Sequence, residues 1–456
     1  MNIKIFATIA SALILNIGLA QTTIIINVKQ SIGTKAKLYS YHGKENVAVD
    51  SCRPSANGKY QFVLDKNAPK GIYKIVIGKG RSFDFIVSND SAIVFETYSF
   101  AVEDSLKVIS SNNNKVFIGF QKLKQRTEQQ LWHIESLKKY YEPSSMFYQM
   151  LNNEQKNIEL NRYLKGKELA SKANDNLVTS AILLDITPMV TTSTEECATQ
   201  KEQADAWWKG IDLTNPNIVN LPTFIPRVWD YLELLLCEGA YTMEEQDSLI
   251  AAYLNKLLEL PAHDLVKEKV INSLCNGFAD TDYFKVIETL MHYKKANTCQ
   301  AFSNIEFRTR QMLESELLSG KKAYDFKVKL TGERKRFKLS KTNSKYTLVV
   351  FWSVWCPHCI ESVPEIYQIY KNFANKGFDV VAICIDEEKD AYLDFITKNN
   401  LNWKNALVPY DESNKIILGY NVDETPKMFL IDNQVNIVSR PSTPIQVKVF
   451  LEKHLK

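Results

Sequence analysis

Cys356 and Cys359, in the stretch Trp355-Cys356-Pro357-His358-Cys359, are the residues whose type and spacing point most directly to chemistry. Two thiols this close can pair, so that one attacks a disulfide and the other resolves the mixed disulfide that forms. The same spacing serves zinc knuckles, which need about four ligands. The surrounding region adds only Cys384, with no second CxxC, and its last histidine, His454, lies in the terminal helix. No metal and no cofactor are therefore expected.

What flanks the pair decides how it would act. The apolar run Tyr346-Thr347-Leu348-Val349-Val350-Phe351-Trp352 reads as a strand, and a helix-like run starts at Ile360. A strand that delivers the cysteines to a first helical turn sets Cys356 against free N–H groups and the positive helix end, which stabilise a thiolate. Pro357 suits that turn because its missing N–H would have no partner there. His358 adds a second cation or donor close by.

The chain has 456 residues, 45% hydrophobic and 24% charged, enough for two or three domains with real cores. Its 56 basic and 52 acidic residues leave a net charge of +4, which implies no nucleic-acid surface. Lys321-Lys322 and Arg334-Lys335-Arg336 read as solvated linker or hairpin. Lys4, the apolar stretch Ile5 to Ile17 and Gly18-Leu19-Ala20 have the layout of a secretory signal cleaved before Gln21. The expectation is an exported protein of the periplasm with no transmembrane segment in the mature chain. In such a compartment its eight cysteines can include structural disulfides.

Four segments are expected: a signal peptide over 1–20, a β-sandwich over 21–110, an all-helical domain over 111–320 and an α/β domain over 321–456. In the first folded part, Thr22 to Val28, Lys35 to Tyr41, Tyr60 to Leu64, Gly71 to Ile77, Ser82 to Val87 and Ala92 to Glu96 read as strands. Turns fall at Ala56-Asn57-Gly58-Lys59 and Gly78-Lys79-Gly80-Arg81, the sheet is expected to be antiparallel, and Cys52 falls between strands. From about residue 113 the apolar period becomes that of helices, over Val116 to Tyr140, Ser145 to Lys172, Met243 to Leu258, Ala262 to Asn276, Asp282 to Ala296 and Phe302 to Leu318. The aromatic stretch from Trp207-Trp208 through Trp229 and Tyr231 is core packing between helices or a peptide groove. Cys197, Cys237, Cys275 and Cys299 allow two disulfides whose pairing the sequence leaves open.

From Lys321 on, a hairpin around Thr331-Gly332-Glu333, the strand at Thr347 to Trp352, a helix from Cys356 bent at Pro364 and a strand at Phe378 to Ile385 follow in order. Then come a helix at Glu387 to Asn399, a short strand at Leu407 to Pro409, a short helix at Ser413 to Gly419, a strand pair at Lys427 to Ile431 and Val435 to Val438, and a helix at Thr443 to Leu455. With Phe351-Trp352, the Cys356–Cys359 pair, Pro364 and Thr425-Pro426 ahead of Lys427-Met428-Phe429-Leu430-Ile431-Asp432, this domain resembles the exported TlpA-like thiol-disulfide oxidoreductases of the thioredoxin superfamily. The whole layout is similar to multidomain versions in Bacteroidota. Asn57-Gly58-Lys59-Tyr60-Gln61-Phe62 and Gly71-Ile72-Tyr73 are similar to the small β domain found ahead of such domains.

The resemblance implies that Cys356 attacks and Cys359 resolves. It also implies that Thr425-Pro426 is a cis pair whose backbone faces the thiols and pairs with substrate, with Trp355, Pro357 and His358 in support. The implied partners are protein or peptide thiols and disulfides, plus an upstream redox partner that could be membrane-bound. Reduction, oxidation and isomerisation are all open. The chain departs from the pattern twice: Val350 stands where thioredoxins carry a buried aspartate, and Ser362 where many relatives carry glutamate, leaving water, a backbone group, Glu361 or Glu365 to take the Cys359 proton. The alternative from another class is a non-catalytic peptide- or protein-binding scaffold with a vestigial thioredoxin-like domain. A thiol peroxidase would need a Pro-x-x-x-Thr-x-x-Cys pattern that is missing before Cys356, and haem attachment would need a histidine where Ile360 stands.

Overall fold

A computed structural model describes residues 21–30, 33–43, 45–78, 80–189, 196–236, 240–279, 281–293 and 315–455. The expected signal peptide, Lys79 of the second expected turn, most of the helix expected at Phe302 to Leu318, and Cys237 and Cys299 lie outside these residues. The chain folds as two units, one taking in the chain up to Met189 with Lys209–Arg227, the other Val190–Trp208 with Val228–Lys456. The helices are therefore shared between both units.

In the first unit the alternating runs become β1 (Thr22–Lys29), β2 (Ala36–His42), β3 (Glu45–Cys52), β4 (Lys59–Leu64), β5 (Gly71–Ile77), β6 (Arg81–Val87), β7 (Ala92–Tyr98) and β8 (Lys107–Ser110). They make two four-stranded sheets, ordered β4-β1-β7-β8 and β3-β2-β5-β6. Ile24, Ile26, Leu38, Phe62, Ile75, Phe85 and Phe95 are buried, and Phe85 of one sheet meets Phe95 of the other edge to face at 5.5 Å. This is the expected β-sandwich, with two corrections. β1 and β7 run parallel, because β7 arrives from the opposite sheet rather than through a hairpin. Cys52 ends a strand, β3, whose residues 45–50 are exposed and so show no inward apolar face in the sequence.

The helical period yields α1 (Asn112–Lys138), α2 (Met146–Ala170) and α3 (Asn176–Leu183), with Ser111, Ser145 and Asp175 as side-chain N-caps. α4 (Glu196–Ala206), α5 (Phe224–Glu233), α6 (Met243–Glu259), α7 (Asp264–Phe278) and α8 (Phe284–Tyr293) follow. The aromatic stretch packs: Trp207 and Tyr231 are buried, Trp208 meets Tyr231 at 5.7 Å, and Trp229 stacks on Phe278 at 5.5 Å. Trp229 lies so close to Gly277 that a Cβ there would stand 2.2 Å from the ring. Cys275 is disulfide-bonded, and the side chain of Cys197 is not among those described. Among the described residues no helix is long and apolar enough to cross a membrane.

The C-terminal part contains the antiparallel hairpin β9 (Lys327–Lys329) and β10 (Arg336–Lys338), then β11 (Tyr346–Trp352), α9 (Pro357–Phe373), β12 (Phe378–Cys384), α10 (Lys389–Lys398) and β13 (Lys404–Leu407). It closes with α11 (Lys415–Gly419), β14 (Lys427–Asp432), β15 (Ile437–Ser439) and α12 (Pro444–His454). The sheet runs β13-β12-β11-β14-β15, with β11 parallel to β12 and antiparallel to β14. β11 is central, and both its faces are covered: Leu348, Val350 and Trp352 join the core with Val363, Ile366 and Val447, while Val349 and Phe351 join that with Phe326, Val328 and Tyr420. A strand buried on both sides reads as an unbroken apolar run. β13 starts earlier than the expected Leu407 to Pro409, since Lys404 and Asn405 pair with β12 despite their polarity.

Within the second unit, α6 is hydrogen-bonded to this part. Glu244 accepts from the Ser439 hydroxyl at 2.8 Å and the Arg440 N–H at 2.9 Å, Gln246 accepts from Gln446 at 2.8 Å, and Glu245 pairs with Lys453 at 2.5 Å.

Candidate active site

β11 ends at Trp352, and four residues later the chain turns into α9. Cys356 is the N-cap of that helix, in extended conformation, with Pro357 at the first helical position. Its Sγ accepts the Cys359 backbone N–H at 3.3 Å, the bond that serine or aspartate usually makes at this position. The neighbouring loop brings in the other expected residues. Thr425-Pro426 is a cis pair, and the Cys356 thiol donates to the Thr425 carbonyl at 3.2 Å. Cys356 is partly exposed and Cys359 fully buried, and both are free thiols.

The two thiols differ in acidity. Burial alone would raise Cys356, but hydrogen bonds from the Cys359 thiol, the Thr425 side chain and the backbone N–H groups of Cys359 and His358 outweigh it and hold Cys356 below the ordinary thiol value. Burial pushes Cys359 up to about 12, helped by its hydrogen bond to Cys356. One thiol is thus ready to ionise and accessible, the other protonated and shielded.

The supporting residues are placed less uniformly. Trp355 is 68% exposed beside Cys356. Pro357 and His358 are exposed on the first turn, and His358 acts on Cys356 through its backbone N–H. Val350 is wholly buried among apolar neighbours, and both Glu361 and Glu365 are exposed on α9. Besides Cys356, the backbone N–H of Ser353 and the Thr425 side chain meet the Cys359 sulfur, and both offset part of its rise.

Two charged residues near the thiols escaped the sequence reading. Lys427, 4% exposed at the start of β14, donates to the Asp423 carboxylate at 2.8 Å and the Asn421 carbonyl at 2.5 Å, tying down the loop that carries Thr425. Asp386, 9% exposed just beyond β12, accepts from the Ser353 hydroxyl at 2.6 Å, the Val354 N–H at 2.6 Å and the Cys384 thiol at 3.1 Å. Burial first, then the Asp386 hydrogen bond, pushes Cys384 far up, so it is a neutral donor. Asp386 follows a run of apolar strand residues and Lys427 precedes one, and an isolated charge at either end of a buried strand is the one signal that could have marked them.

Residues 319–440 match the AhpC/TSA family. Over 137 residues the chain is 30% identical to the thiol-disulfide oxidoreductase ResA of a Bacillus cereus strain, covering 29% of this chain and 77% of that one. The thioredoxin domain of a thiol-disulfide oxidoreductase from Bacteroides vulgatus is 22% identical, with a TM-score of 0.29 over 30% of this chain and 99% of that one. A thiol:disulfide interchange protein from Bacteroides sp. is also 22% identical, with a TM-score of 0.28 over 30% of this chain and 90% of that one. An accessible thiol three residues before a buried one suits disulfide exchange, and the ResA match places the chain among the ResA-related thiol-disulfide oxidoreductases of the thioredoxin superfamily.

Proposed function

We propose that the protein is an exported, TlpA-like protein-disulfide oxidoreductase in which Cys356 is the attacking thiol and Cys359 the resolving one. The Cys356 thiolate attacks one sulfur of a substrate disulfide. A mixed disulfide forms, and the other substrate sulfur leaves as a thiolate that takes up a proton. Cys359 then gives up its proton and attacks Cys356 Sγ, forming the Cys356–Cys359 disulfide and releasing the second substrate thiol. Two electrons pass from the pair to the substrate, and the reverse sequence oxidises a substrate dithiol. Reduction potentials of pair and partner set the direction.

The observation that carries this reading is the contrast between Cys356, accessible and lowered, and Cys359, buried and raised to about 12. Thr425, whose carbonyl meets Cys356, is the residue beside which a substrate chain pairs, and exposed Trp355 flanks its path. A leader over residues 1–20 would send the chain to the periplasm, where an upstream redox partner restores the pair. Divisions near residues 110 and 320 would separate two regions that select substrates from the one that acts on them.

The test is insulin reduction coupled to a dithiol reductant. Wild type is expected to be active and Cys356→Ser inactive, while Cys359→Ser should accumulate a mixed disulfide visible by mass spectrometry. Equal activity of wild type and Cys356→Ser would sink the proposal.

A further inference from the structure

Ser353 uses every polar group it has on the thiol loop. Its backbone N–H meets the Cys359 sulfur, its carbonyl accepts from the Cys356 N–H at 3.4 Å, and its hydroxyl oxygen accepts from the Trp355 N–H at 3.0 Å. The hydroxyl can accept from Trp355 in this way because its own proton is committed to Asp386, whose carboxylate can only accept. Val354 is held by the same carboxylate. Asp386 is itself anchored by the sheet: the Ile385 N–H donates to the Trp352 carbonyl at 3.0 Å, and the Ile385 carbonyl accepts from the Tyr410 N–H at 2.9 Å. Three donors converge on a carboxylate that is nine-tenths buried, one from a buried thiol on β12 and two from the loop after β11.

We propose that Asp386 is a positioning residue for disulfide exchange, acting through Ser353 to fix the separation and environment of Cys356 and Cys359. The inference rests on the exchange reading above. A side chain placed only for stability would have no reason to clamp the residue that contacts both cysteines. With Asp386 gone, the Ser353 hydroxyl and the Val354 N–H lose their acceptor in a buried setting, and the loop must rearrange to satisfy them. Both cysteines then lose the geometry that makes one a ready nucleophile and the other its resolver, because small misplacements of reacting groups are costly in rate.

The experiment compares Asp386→Ala, Asp386→Asn, Ser353→Ala and the double variant Asp386→Ala/Ser353→Ala in the full chain, with folding followed by circular dichroism. Three quantities are read: insulin reduction, the equilibrium constant of the thiol pair against glutathione, and the absorbance titration of Cys356. Asp386→Ala is expected to lose about tenfold in kcat/KM and to shift both the equilibrium constant and the titration midpoint. Asp386→Asn keeps an acceptor oxygen and should recover most of the loss. The double variant should lose no more than Asp386→Ala alone. If Asp386→Ala does not fold, Ser353→Ala carries the test, since it keeps the bonds from Val354 and Cys384. Unchanged equilibrium constant and titration midpoint in a folded variant, or losses that add in the double variant, would overturn the proposal. Wild type inactive on insulin would strike the exchange reading instead, while the glutathione equilibrium and the titration still judge Asp386.

Discussion

The thiol of Cys356 lies 3.2 Å from the carbonyl oxygen of Thr425, across 69 residues of sequence. The two meet because β11 and β14 are antiparallel neighbours, so the loop leaving one and the loop entering the other share an end of the sheet. The Thr425 side chain also donates to the sulfur, and removing it shows how much of the Cys356 acidity comes from this contact.

Thiolate absorbance of reduced protein should place Cys356 below the ordinary thiol value of 9.0. A lowered pKa means that the ionised form is favoured in the folded state, so exchange should quicken as pH rises through that lower midpoint and level off above it. Thr425→Val removes a donor to the thiolate and should raise the midpoint. An unmoved midpoint would assign the acidity to the Cys359 thiol and the backbone N–H groups at the helix N-terminus.

Cys359 makes reduced protein sensitive to alkali. Between 9.0 and about 12 an unfolded chain gives up this proton while the folded one keeps it. The folded state then binds more protons, so the stability contributed by neutral Cys359 is complete below 9.0 and is lost as pH rises toward about 12. Urea midpoints in reductant at about pH 8 and about pH 10 should show the fall, and Cys359→Ser should make it smaller.

Trp355 separates recognition from folding. Because its ring is 68% exposed, Trp355→Ala should change stability by no more than about 0.5 kcal/mol. Its effect should fall on KM for protein substrates, with reaction toward a small disulfide reagent nearly unchanged. Equal losses on both substrates would remove Trp355 from substrate contact.

Glu244 receives both the Ser439 hydroxyl and the Arg440 N–H. Glu244→Ala leaves these donors without their acceptor and should cost about 1–3 kcal/mol, seen as a lower thermal midpoint. Insulin reduction at low temperature should stay at wild-type level, since the contact is away from the thiols.

The strand at β11, the helix it feeds and both cysteines were legible because their signals are local: an unbroken apolar run, a CxxC and a proline suited to a first turn. Thr425-Pro426 was legible through family resemblance, as nothing in its own neighbourhood says what it faces. Asp386 was not, because it and Ser353 become neighbours only through the register that sets Trp352 opposite Cys384. β3 was missed for the opposite reason, since its exposed edge position imposes no apolar alternation to read. His358, read from its type as a cation or donor for the thiolate, donates through its backbone N–H, a contact that any residue but proline would supply.

The hydrogen bonds from α6 into residues 439–453 govern how the chain can be divided in the laboratory. A fragment beginning at Lys321 would part Ser439, Arg440, Gln446 and Lys453 from their acceptors on α6 and leave Arg440 without Asp282, 3.0 Å away in the intact chain. That cut face lies along β15 and α12, on residues that are buried when whole, including Arg440 and Gln446. Such a fragment would carry a raw, half-polar seam into water, and its solubility and self-association would report the seam as much as the enzyme.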